Sequence, residues 1–252
     1  MNYTENNAKV WDVWAQGDCP WSVPITHEEY LQAKQGEWKV FLTPCVPVPH
    51  EWFLPFEGCK ILGLASGGAQ QMPIFAALGA ECTVLDYSDK QLESERIVAA
   101  REGYDINVVK ADMTQRLPFD DASFDLIFHP VSNCYIEDVQ HVWNECYRVL
   151  RPGGVLLAGF DNGISFLFED KKPLLVVNKL PFNSLRDKKL RKQTEKDNDC
   201  FFFSHTMEEQ VGGQLKAGFQ LTHLFEDTDR PGHASAVSKY IPVYTATRAV
   251  KA

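Results

Sequence analysis

The chain has 252 residues, 44% of them hydrophobic and 23% charged, with a formal net charge of −9. A chain of that length buries roughly 70–75% of its unfolded surface without staples, so it fits one large domain or one domain with a cap. The acidic balance argues against general nucleic-acid affinity, which needs a basic footprint, and no apolar run approaches the ~18–20 residues of a membrane span.

Residues 1–55 carry five of the six tryptophans: Trp11, Trp14, Trp21, Trp38 and Trp52. This segment is expected to be a helical, Trp-rich cap. Thr26-His27-Glu28-Glu29 has the form of a capping box opening a helix to about Gln35, with Tyr30 and Leu31 inward. Trp11, Trp14 and Tyr30 are candidates for a lid over a substrate pocket; packing onto the core is the plainer expectation for most of these aromatics. Polar residues 1–9 precede no signal-like apolar segment, so the expected compartment is cytoplasmic.

Residues 56–160 alternate strand and helix with short connections. A strand over 60–65 leads into the turn Ser66-Gly67-Gly68. A helix from about Gln70 to Leu78 follows, with Pro73 in its first turn and Gly79 at its end. The next strand, 82–85, ends at Asp86. Ser88 and Gln91 cap a helix that closes at Gly103, and strand 107–110 ends at Asp112. Residues 124–128 read as a buried strand. Val139, Val142, Trp143, Cys146, Val149 and Leu150 recur at helical spacing. Arg151-Pro152-Gly153-Gly154 then turns into strand 155–160. Such alternation specifies a doubly wound, mostly parallel α/β sheet with ligands at the carboxyl ends of its strands.

The rhythm breaks at residues 161–203, an insertion after the fifth strand and a candidate substrate cap. Residues 170–199 hold nine Lys/Arg against five Asp/Glu, with a charged helix or loop expected near 186–196. Residues 204–252 close the domain. Thr206 to Ala217 reads as a helix, and strands are expected at 219–225 and 243–249. The seven cysteines are odd in number and form no Cys-x-x-Cys pair, so reduced thiols are expected and no metal is expected.

The chemistry concentrates at strand ends. Gly67 and Gly68 let a ligand approach the backbone where a helix begins. Asp86 lies nineteen residues beyond Gly67, and a carboxylate there can accept both hydroxyl hydrogens of a ribose. Asp112, one strand over, is placed to meet an adenine amino group. His129, Asn133 and Tyr135 follow the fourth strand. His129 reads equally as a general base or as a packed or cofactor-contacting residue; His205 and His233 are further histidines of the closing region.

These residues carry a resemblance. Residues 58–160 are similar to the class I S-adenosylmethionine-dependent methyltransferases, of the small-molecule type that includes quinone-biosynthesis C-methyltransferases. The likeness rests on Ile61 to Ala69, Val84-Leu85-Asp86, Lys110-Ala111-Asp112, the run Leu117 to Asp125, and Arg148 to Gly154. It implies a Rossmann-like sheet of seven strands with an antiparallel last strand, and S-adenosyl-L-methionine as cofactor with S-adenosyl-L-homocysteine as product. The implied cofactor-binding residues are Ala65, Ser66, Gly67, Gly68, Gln70, Asp86, Tyr87, Ser88, Asp112, Met113 and His129. Catalysis would fall to His129, Asn133 and Tyr135, and the acceptor would be a small molecule. Two departures stand out. Gly63 occupies the position of the family's first acidic residue, and the family's turn glycines fall on Ala65, Gly67 and Ala69. A non-catalytic cofactor-binding module, a methyltransferase acting on RNA or protein, and a nicotinamide-dependent oxidoreductase are the competing readings.

Overall fold

Seven strands make one sheet: β1 (Lys60–Leu64), β2 (Glu81–Asp86), β3 (Ile106–Lys110), β4 (Phe124–His129), β5 (Leu150–Asp161), β6 (Phe219–Asp227) and β7 (Tyr244–Lys251). Their spatial order is β3-β2-β1-β4-β5-β7-β6. The first five run parallel, and β7 lies antiparallel between β5 and β6. This computed structural model describes residues 2–17, 19–168, 174–232 and 235–252; His233 lies outside them.

Parallel strands covered on both faces read as continuous apolar runs, because successive side chains point to opposite layers. Ile61 packs with Phe75, Trp52 and Phe128 on one face, while its neighbour Leu62 packs with Trp143, Val142 and Ile127 on the other. The helices are α1 (Tyr3–Ala15), α2 (His27–Lys34), α3 (Met72–Ala77), α4 (Asp89–Glu102), α5 (Val139–Val149), α6 (Lys188–Asp197) and α7 (Gly213–Ala217). Strand order reverses between β1 and β4, which makes the carboxyl ends there the natural ligand crevice.

Several local expectations shift. The Thr26 capping box forms as read, with both reciprocal bonds present, but Leu31 is 42% exposed while Tyr30 is buried. Strand β5 begins at Leu150, so the Arg-Pro-Gly-Gly segment lies within its first residues. Pairing with β4 shifts register there, between Phe124 and Leu126. The closing helix is not continuous either. Glu208–Gly212 forms a π-helical turn before α7, and the indole N–H of Trp143 donates to the Glu209 carbonyl at 3.1 Å. Regular α-helical bonding would claim that carbonyl.

Two segments far apart in sequence wall the crevice. The Asn7 side chain of α1 donates to the Phe201 carbonyl at 3.0 Å and accepts from the Phe201 amide at 2.7 Å. Asp12 of α1 accepts from the Ser88 hydroxyl at 2.7 Å and the Lys90 amide at 3.0 Å, at the N-terminus of α4. The basic helix α6 has no buried residue. All seven cysteines are free thiols.

Candidate active site

A cavity of about 1220 Å³ opens over the carboxyl ends of β1 to β5. Typical small-molecule pockets run to roughly 1,000 Å³, so this one is larger than most. One arc of its lining is Ala65, Ser66, Gly67, Asp86, Tyr87 and Met113; the insertion contributes Phe166, Phe182 and Phe202 on another side.

Asp86 ends β2 and organises the first arc. Its Oδ2 accepts from the Gly67 amide at 3.0 Å and its Oδ1 from the Ser88 amide at 2.9 Å. Burial pushes the carboxyl up from its ordinary range, and these amides pull it back down. Each oxygen keeps a lone pair free for a further donor. A Cβ at Gly67 would lie 2.7 Å from the Gln91 Cβ and 3.0 Å from Asp86 Oδ2. Only glycine lets the turn press this closely onto the carboxylate. Asp112, at the exit of β3, uses Oδ1 to bind the Thr114 amide and hydroxyl at 2.9 and 2.8 Å. Its Oδ2 has no partner among the described residues.

The missing acidic residue at position 63 has a physical counterpart. A Cβ there would meet Met72 Cε at 2.8 Å and Sδ at 2.9 Å, so Met72 fills the space a side chain would need. The turn is held from elsewhere. Ala65 and Ala69 take positive φ angles of 48° and 56°, and the Ala69 amide donates to Glu95 Oε1 at 2.7 Å. Glu95 is wholly buried in α4, and burial pushes its carboxyl up to about 8.

Not every expected residue reaches the cavity. Ala65, Ser66, Gly67, Gln70, Asp86, Tyr87, Ser88, Asp112, Met113, Tyr135 and Trp11 line it; Gly68, His129, Asn133, Trp14 and Tyr30 do not. The expected base role of His129 meets a steric obstacle. His129 is fully buried, its Nδ1 engaged with the Leu64 carbonyl and its Nε2 with the Asn133 side-chain amide, both at 2.9 Å. Burial lowers its pKa, against the pull of these two contacts, and the ring ties β1 to the segment after β4. His205 is likewise buried, its Nε2 engaged with the Asn133 and Ile136 carbonyls. Trp14 borders a separate groove with Trp21 and Cys19. Tyr30 stacks on Tyr104 at 5.8 Å. Gln70 lines the cavity, but its amide nitrogen is spent on the Pro20 and Val23 carbonyls. Gln71 is bonded to Ser66 Oγ at 3.1 Å.

Comparison with known proteins fits this geometry. A family model described as methyltransferase domain matches residues 62–158. The chain is 42% identical, over 98% of its own length and 97% of the relative's, to the uncharacterized methyltransferase YbaJ of Bacillus subtilis (strain 168). The chain belongs to the methyltransferases. A ubiquinone biosynthesis O-methyltransferase of Maricaulis maris is 28% identical over 45% of each chain. Among solved structures, an S-adenosylmethionine-dependent methyltransferase from Mesorhizobium loti superposes with a TM-score of 0.62 at 18% identity, covering 79% of this chain and 94% of that one.

This methyltransferase also has cavity residues that the strand-end pattern did not single out. Arg230 follows β6; its Nε donates to the Pro44 carbonyl at 2.9 Å and its guanidinium sits 4.5 Å from the Trp21 ring centre. Asp161 ends β5, is 9% exposed, and accepts from the Gly163 amide at 3.0 Å through Oδ1. Its Oδ2 has no partner among the described residues. A strand-end carboxylate rule, applied one residue beyond the expected end of the fifth strand, finds Asp161. No comparable local signal marks Arg230. Among the described residues no helix is long and apolar enough to cross a membrane.

Proposed function

We propose that this methyltransferase binds S-adenosyl-L-methionine along the ends of β1, β2 and β3 and methylates a small-molecule acceptor seated in the remainder of the cavity. The observation that carries the reading is Asp86. It is held by two amides with lone pairs to spare, facing a turn whose glycine leaves no gap for a larger residue. That donor set fits a ribose diol. Asp112, with its free Oδ2, would meet the adenine amino group, and Tyr87 and Met113 would flank the ring. Arg230, which lines the cavity, would supply positive charge to the methionine carboxylate. When bound, the cofactor supplies an activated methyl group on a sulfonium, so the protein contributes alignment and water exclusion.

The size of the cavity and its aromatic wall support an acceptor that enters whole, because the insertion and α1 close over the crevice. A melting experiment tests the cofactor half. A ligand at a hundred times its dissociation constant adds about 2.7 kcal/mol, or about 5–10 °C for a domain this size. S-adenosylmethionine and S-adenosylhomocysteine are expected to raise Tm, and NAD is not. The same protein, given a fractionated small-molecule extract and S-adenosylmethionine, should release S-adenosylhomocysteine. No Tm shift with either nucleoside overturns the reading.

A further inference from the structure

The row of strand ends that builds the cofactor arc continues past it. Strand β4 pairs with β5 so that His129 lies opposite Ala158, and Asp161 stands three residues further along β5. It therefore lies beside the segment that follows β4, in the half of the cavity away from Asp86. Phe166 and Phe182, which also line the cavity, stack at 5.3 Å, Phe202 packs on Tyr135 at 5.4 Å, and Tyr244 is the register partner of Asp161.

Five carboxylates and two cations line the cavity. Glu29 and Glu37 are solvent-exposed, and Asp86 and Asp112 belong to the cofactor arc. Asp161 alone of the five is buried with an unpartnered oxygen. Neither cation answers it. Arg230 is turned to Pro44 and Trp21, and Lys39 is exposed, near the Phe41 ring. Tyr135 and Tyr244 keep their protons at neutral pH because burial pushes both hydroxyls up. Leaving a carboxylate oxygen dry and unpaired is costly, and a donor that arrives with a ligand relieves that cost. Aromatic faces around it favour a cation over an anion.

We propose that the methyl acceptor is an amine carried on an aromatic or otherwise apolar body, and that Asp161 is the catalytic residue that binds its N–H and takes its proton. The inference rests on the reading of the chain as a methyltransferase. In the step, a proton passes from the acceptor ammonium to Asp161 Oδ2, freeing the nitrogen lone pair. That pair forms the N–CH3 bond as the S–CH3 bond breaks, and its electrons stay on sulfur. The products are the methylated ammonium, a neutral thioether and a protonated Asp161, with total charge unchanged.

The test uses the full-length protein loaded with S-adenosylhomocysteine, and the variants Asp161→Asn and Asp161→Glu. The probes are benzylamine, benzyl alcohol and benzoate, titrated by calorimetry. Benzylamine is expected to bind the wild type more tightly than benzyl alcohol, and benzoate is expected not to bind. Asp161→Asn should weaken benzylamine about tenfold or more, with Asp161→Glu recovering part of the loss. Both variants should keep the Tm shift with S-adenosylhomocysteine, which certifies that they fold and hold the cofactor. The inference is overturned if benzoate or the alcohol binds best, if no probe binds, or if Asp161→Asn leaves benzylamine affinity unchanged. Loss of the S-adenosylhomocysteine shift in the wild type would instead overturn the underlying cofactor reading.

Discussion

Replacing Glu95 with glutamine should flatten the pH dependence of stability between about pH 6 and pH 8. Glu95 is fully buried in α4, and its Oε1 receives the Ala69 amide at 2.7 Å. Its Oε2 has no partner among the described residues. Burial is the main cause of a folded-state pKa raised from 4.5 to about 8; the Ala69 amide opposes it and the nearby Asp86 charge adds to it. The folded protein therefore holds a proton that the unfolded chain has released. Stability from this group is full below the unfolded value, near pH 4.5, and is lost as pH rises through about 8.

Over that interval the slope approaches 1.4 kcal/mol per pH unit. Because it levels off as pH nears the folded pKa, wild type should lose roughly 2 kcal/mol between about pH 6 and pH 8 from this group alone. The substituted glutamine keeps an oxygen for the Ala69 amide and does not titrate. The buried histidines His129 and His205, whose pKa values burial lowers, titrate in both proteins and cancel in the difference. Urea unfolding of wild type and Glu95→Gln at matched pH values measures that difference. The variant should gain on the wild type steadily as pH rises. Parallel stability curves would refute the protonated-carboxyl account of this turn.

Three further outcomes test the proposed cofactor arc. Asp86→Asn should weaken S-adenosylhomocysteine by about tenfold to a hundredfold, since a charged hydrogen bond is worth about 1.5–3 kcal/mol; unchanged affinity by calorimetry would refute the ribose assignment. Gly67→Ala should destabilise the protein by about 1–3 kcal/mol, because its Cβ would meet the Gln91 Cβ at 2.7 Å, and it should abolish the Tm shift with S-adenosylhomocysteine. A Tm within a degree of wild type with the shift intact would contradict the close approach. Arg230→Gln should lower affinity for S-adenosylhomocysteine while sparing methylthioadenosine, which lacks the amino-acid end; equal losses for both would remove Arg230 from that end.

How far the sequence disclosed the site depends on how local each residue's reason for being there is. Asp86 and Asp112 were legible because a carboxylate closing an apolar strand is placed by its own strand alone. Asp161 obeys the same rule and escaped only because the fifth strand runs one residue longer than its apolar core. Glu95 is different. In the charged segment Glu93-Ser94-Glu95-Arg96 it reads as a solvated helix face, and only the packing of α4 under the turn reveals it as the partner of the Ala69 amide. Asp12 and Arg230 are placed by contacts across 76 and 186 residues, which no spacing rule encodes. His129 was open to both readings in the sequence, a base or a packed ring, and its burial with two ring hydrogen bonds supports the packed one.

A carboxylate in place of Gly63 would have to displace Met72, yet the turn still needs acceptors for its amides, because left-handed alanines at 65 and 69 bend it sharply. Asp86 and Glu95 meet that need from the neighbouring strand and helix. The altered motif therefore does not by itself argue for a protein that has lost its cofactor. A buried side chain, Glu95, supplies acidic support to the turn and places a titrating group directly behind the proposed cofactor arc.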